Sequence, residues 1–68
     1  MKYVLTTEIV EALEKLDDKL SDAMIAITNI VNSDEIYDAD IDDLNYVMKC
    51  VIEALEDFKK VKKEEVKE

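Results

Sequence analysis

The densest chemistry in this 68-residue chain lies between Asp34 and Asp43, where "DEIYDADIDD" carries six carboxylates in ten positions. Carboxylates so close together can chelate a metal, cap a helix or present charge to a partner. Asp38, Asp40 and Asp42 fit the first three ligand positions of an EF-hand calcium loop. That loop then needs a Gly for its sharp turn and ends on a bidentate Glu; Asp43 and Lys49 stand there instead. Calcium is therefore not expected. With no His and a single Cys, a zinc or paired-thiol redox site lacks its ligands as well. No metal or other cofactor is implied.

Capping accounts for part of the cluster. Asp40, or alternatively Asp38, can accept N–H bonds from the first turn of a following helix. Asp42 and Asp43 then lie near the positive end of its dipole, each stabilising by about 0.3–1 kcal/mol at low salt. Capping uses three acids and leaves a surplus. A second surplus occurs upstream, where Glu11, Glu14, Asp18 and Asp22 follow one another at helical spacing beside Asp17. Like charges one turn apart cost about 0.2–0.5 kcal/mol per pair, which Lys15 and Lys19 relieve only in part.

Catalytic readings find no support. No His can act as a general base near neutral pH, and Ser21 and Ser33 lack a triad context. There is no Gly for a phosphate-cradling loop. Cys50 has acids around it and nothing to activate a thiolate. The chain is not expected to be an enzyme.

These acids must be carried by helices. The absence of Gly and Pro removes both main helix breakers. From Ile9, apolar residues fall at 9, 13, 16, 20, 23, 27 and 30, an unbroken alternation assigned to heptad positions d and a. Val10, Met24 and Val31 take e, and Ala12 and Ala26 take g. A second series, Ile41, Leu44, Met48, Val51, Leu55 and Phe58, repeats the pattern, widened by Val47, Ile52, Ala54 and Val61. Stripes this wide belong to bundle helices.

The spacing predicts helix 1 over about 7–32 and helix 2 over about 40–62, with a loop at 33–39 and a frayed Lys/Glu tail at 63–68. Thr6 or Thr7 suits the N-cap of helix 1; with Thr6 capping, Leu5 and Val10 have the spacing of a hydrophobic staple. The opening "KYVL" is β-prone, fit for a short strand or for an arm across a neighbouring copy. Fold class is thus all-α: one antiparallel two-helix hairpin domain over 1–68, expected to pair into a homodimeric four-helix bundle because so short a chain buries little alone. Met24, Ile25, Ile27 and Val31 are the expected oligomer interface, Ile25 because it is an apolar residue at the outer position f.

Charge narrows the partner. Eighteen acids face nine Lys with no Arg, a net −9. Residues 1–58 carry −11 and residues 59–68 carry +2. Such a body repels nucleic acid and anionic membrane and attracts basic surfaces. Without Arg, the usual bidentate phosphate reader is missing too. The lone Cys and the lack of an apolar leader suggest a reducing, cytoplasmic setting. The acids expected to meet a partner are Asp17, Asp18, Asp22, Asp34, Glu35, Asp38, Asp40, Asp42 and Asp43, with Tyr37 as anchor; exposed Tyr commonly anchors interfaces. Tyr46, at f of helix 2, is expected to be at least partly exposed.

Carboxylates one helical turn apart, about 5–6 Å, are spaced comparably to successive phosphates of a nucleic-acid strand, whose axial rise is about 3.4 Å. In size, helical rigidity and the acidic stretches "EALEKLDDKLSD" and "SDEIYDADIDD", the chain resembles the small acidic nucleic-acid-mimic inhibitors that bacteriophages encode. The likeness is one of charge layout over residues 8–57; those inhibitors share no fold, and no functional residue carries over. The Lys-rich end departs from it. The resemblance implies a non-enzymatic inhibitor or regulator, a DNA mimic occupying the basic nucleic-acid-binding site of a partner protein. The competing expectation is an oligomeric helical adaptor that binds a partner helix through its apolar faces, with the acids serving only solubility.

Overall fold

The computed structural model describes residues 1–67. It consists of two helices, α1 over Thr7–Asn32 and α2 over Asp38–Lys60, packed against each other. The hairpin is a rod of 56 × 18 × 18 Å. Among the described residues no helix is long and apolar enough to cross a membrane.

α1 starts where Thr6, in extended backbone, accepts a 3.3 Å hydrogen bond from the Ile9 N–H. Leu5 stays 68% exposed, too bare for its staple with Val10 to contribute much. With no Gly available for a left-handed exit, the chain leaves α1 through Ser33 in extended backbone. The Ser33 N–H donates to the Ile30 carbonyl at 3.1 Å. Its hydroxyl lies within donating distance of the carbonyls of Ile30 and Glu35, at 2.9 and 2.7 Å. One small polar side chain thus serves the carbonyl end that Gly usually releases.

α2 begins two residues earlier than the apolar spacing predicts, and its cap is neither Asp40 nor Asp38. Tyr37 is the N-cap residue. Asp40, at the third helical position, reaches back and accepts the Tyr37 N–H at 2.9 Å, the returning half of a capping box. Asp38 and Asp40 both sit in the first turn, close to the positive dipole end. The loop therefore shortens to residues 33–37.

The far end also differs from expectation. α2 stops at Lys60, where the Val61 N–H still reaches the Phe58 carbonyl at 3.2 Å. The Lys63 ammonium then folds back to donate to the Phe58 and Val61 carbonyls, both at 3.2 Å, and lies 4.7 Å above the Phe58 ring. A cation on those last carbonyls opposes the negative dipole end. Beyond it, within the stretch expected to fray, Glu65 forms an antiparallel bridge with Tyr3. Its bonds run from the Val4 N–H to the Glu64 carbonyl at 2.7 Å and from the Val66 N–H to the Lys2 carbonyl at 2.9 Å. The β-prone opening meets the C-terminal segment of its own chain. Glu68, the last residue of the expected tail, lies outside the described residues.

The contact between the helices uses only part of each apolar stripe. On α1 the d positions Ile9, Leu16, Ala23 and Ile30 turn inward with the g positions Ala12, Lys19 and Ala26. On α2 the inward set is again d and g: Leu44, Val51, Phe58 with Val47, Ala54 and Val61. Among the described residues only Ile9, Ala23 and Ala54 are buried outright. Apart from the half-buried Val10, the a and e positions of both helices remain exposed. Ala54 is 2% exposed, so a larger side chain there must push into the facing helix. Replacing Ala54 by Leu should overpack the seam by roughly 1–3 kcal/mol, whereas Glu56→Gln on the exposed outer side should shift the urea midpoint hardly at all. Circular dichroism during urea denaturation reads both.

Candidate functional site

The two broad sides of the hairpin differ in chemistry. On one side the exposed a and e residues Leu20, Met24, Ile27 and Val31 of α1 run beside Ile41, Met48, Ile52 and Leu55 of α2. Helical periodicity sets these residues roughly a quarter-turn from the inward d and g rows, and in the same sense on both helices. The result is one apolar face with Asn45 at its centre. Val31, at 75% exposed, and Met24, at 67%, are its barest members.

The opposite side, toward the loop, is an open groove of about 450 Å³. Asp22, Ile25 and Asn29 of α1 line one wall; Asp40, Asp43 and Tyr46 of α2 line the other, and Tyr37 closes the loop end. The row continues along Lys19 and Cys50 toward the termini. There Lys15 and Asp57 approach at 3.3 Å, the one ion pair among the described residues. Both partners are more than half exposed, so the pair contributes at most about 1 kcal/mol. It lies well away from the acidic loop.

The structure divides the expected partner-binding residues. Asp22, Tyr37, Asp40 and Asp43 come together in the groove. Asp18 shares a helical row with Asp22, one turn nearer the terminal end. Asp34 and Glu35 stand in the exposed loop beside it. Asp38 and Asp42 share a different row of α2, turned away from the groove wall, because positions 38 and 42 fall out of step with the 40–43 pair. Asp17 sits at the margin of the apolar face. The expected interface set divides too: Met24, Ile27 and Val31 lie on the apolar face, while Ile25 lines the groove among the acids. Position f of α1 lies on the groove side, so Ile25 belongs with Asp22 and Asn29.

No protein-family model matches the chain, and no curated protein or solved structure matches it either. The site must be understood from its own geometry.

Two groups in it are committed locally. One Asp40 oxygen is spent on the Tyr37 N–H. The Tyr37 hydroxyl donates to the Glu35 carboxylate. That bond holds the phenol proton and pushes the Tyr37 pKa above its ordinary value, with desolvation and the Asp40 charge acting the same way. Asp22 and Asp43, by contrast, make no ion pair among the described residues. Tyr46, 69% exposed, adds an amphipathic ring to this wall. Its membership was open to sequence reasoning through the spacing 43–46–50 on α2, the mirror of 18–22–25–29 on α1.

The Tyr37 proton offers a direct check. A folded pKa raised above the unfolded one gives stability that is complete below the unfolded pKa, near 10, and disappears as pH rises through the folded value. With Tyr3 and Tyr46 replaced by Phe, tyrosinate absorption should report a Tyr37 midpoint above that of free tyrosine. Glu35→Gln should lower the midpoint. An ordinary midpoint in the Glu35 form would show that the hydrogen bond does not hold in solution.

Proposed function

We propose that this chain is a non-enzymatic inhibitor or regulator that pairs into a homodimeric four-helix bundle. It presents the acidic loop end to the basic, nucleic-acid-binding site of a partner protein. The observation that carries this reading is the uncompensated charge of that end. Residues 21–48 hold seven acids and no Lys, a charge of −7; the remaining residues hold eleven acids and nine Lys, a charge of −2. A solubilising surface gains nothing from such segregation, since mixed charges keep a protein soluble equally well without the mutual repulsion. A fixed anionic wall flanked by exposed Tyr37 and Tyr46 suits a Lys- and Arg-rich groove, where Tyr supplies contact area with few rotors to freeze.

The exposed a and e rows favour a second reading, an adaptor that seats a partner helix on the apolar face. The two readings diverge in salt response. Steering and contact through carboxylates weaken as salt screens them, and a site that normally holds DNA releases the mimic when DNA competes. An apolar helix-in-groove contact is nearly indifferent to both.

The test uses the purified protein as bait and identifies captured proteins at low and high salt. The expected partner is a DNA-binding protein, retained at low salt, released at high salt and displaced by duplex DNA. Replacing Asp22, Asp43 and Asp18 together by Asn should weaken it about tenfold, at roughly 0.5 kcal/mol for each exposed pair lost. A partner that ignores salt and DNA but is lost with Met24→Asp would establish the adaptor instead.

A further inference from the structure

The apolar face is too large to be a finished surface. A compact monomer of 7.8 kDa exposes about 4,400 Å², whereas this chain exposes 5722 Å². The excess, about 1,300 Å² over the whole elongated hairpin, is more than the ~800 Å² per partner that a standard stable interface buries. Both helices contribute to it by the same rule: a and e point outward, d and g inward. Such a face can accept another two-helix layer with the same a and e pattern, and a second copy is one.

Charge sets how that copy must lie. Stacked with loop ends together, two hairpins would bring one −7 half against another −7 half. Turned end for end, each loop half lies along its partner's terminal half, which holds all nine Lys and only −2 net. At the ~10 Å spacing of packed helices these charges fall within about one or two Debye lengths of each other. The apolar positions permit either arrangement. In the end-for-end one, Met48 meets its own copy, and Ile41 and Leu55 exchange places across the symmetry axis.

We propose that two copies pair through this face in antiparallel fashion, about a two-fold axis near Met24 and Met48. This rests on the homodimeric reading above and adds the face and the direction. One consequence is functional: the acidic grooves lie on the opposite side of each hairpin from the joint. The dimer therefore presents two separate anionic sites, facing away from each other and displaced toward opposite ends.

Mass and distance together test it. Light scattering at micromolar concentration should give the mass of two chains, and Met24→Asp with Ile52→Asp should give one. Ile25→Asp, on the groove side, should remain a dimer. For direction, a nitroxide is attached at Asp34→Cys in a Cys50→Ala background and the interlabel distance is read by pulsed electron resonance. Asp34 lies roughly 15 Å along the rod from the level of Met24, at ~1.5 Å rise per residue. Antiparallel copies should thus place their labels about 30 Å apart or more. A dimer with labels closer than about 25 Å, the reach across a ~10 Å interhelical gap plus two linkers, overturns the direction and leaves the homodimer standing. A dimer that survives Met24→Asp with Ile52→Asp overturns the face. A monomer for the parent chain overturns the pairing altogether, while the acidic-surface reading still stands or falls on its own salt response.

Discussion

A stripe of apolar residues wider than one neighbour can cover governs this molecule. Each helix carries a, d, e and g positions that are largely apolar, and a hairpin offers each helix only one partner. Facing rows can bury two of those four positions, and d and g are the ones buried. The outcome is a core in which, among the described residues, only Ile9, Ala23 and Ala54 are closed off from water and no large side chain is fully buried. Two of those three are Ala, which lets the helices approach closely but removes little apolar area. Ordering more than sixty residues costs on the order of 1 kcal/mol each or more in backbone entropy. So thin a seam has little with which to offset that, and the exposed rows are its natural reserve.

The ends of the rod are held by different means, and the difference determines where charge can accumulate. At the terminal end, a short antiparallel bridge and a Lys63 ammonium on the last carbonyls tie the chain to itself. Cations are used structurally there. At the loop end no Lys is present, and the backbone ends are served by Ser33 and Asp40. Carboxylates can accumulate there because the α2 N-terminus favours them. Their mutual repulsion is tolerated because most are exposed and screened by solvent. The hairpin is thereby polarised along its length.

Much of this architecture was legible in the sequence, because the 3–4 apolar spacing persists through both helices and nothing interrupts it. Which half of the stripe faces inward was not. Periodicity fixes the angular centre of an apolar band, but the rotation about each helix axis depends on side-chain volume. Small residues at 12, 23, 26 and 54 draw the seam toward d and g. The same uncertainty misplaced Ile25: an apolar residue at f reads as an outlier in need of cover, yet its neighbours in space are Asp22 and Asp43. The α2 cap was misread because Asp is a strong capping type and Tyr is not. The geometry gives the N-cap position to Tyr37 since Asp40 works better from three residues inside. The paired termini escaped notice because one bridge between distant segments leaves no local period.

Apolar and acidic surfaces on opposite sides of a two-helix layer constrain each other. A carboxylate row beside the apolar face would have to be desolvated whenever that face is covered, at a cost of several kcal/mol for each unpaired charge. Asp17 and Asp38, both at position e, are the acids that come nearest, while the centre holds Asn45, which is neutral. The groove row carries Asp18, Asp22, Asp40 and Asp43, where covering the apolar face leaves their hydration untouched. The same segregation means that losing one face need not disable the other. A chain whose acids served only solubility would face no such constraint and could scatter them over every exposed position, including the terminal half that here holds all the Lys.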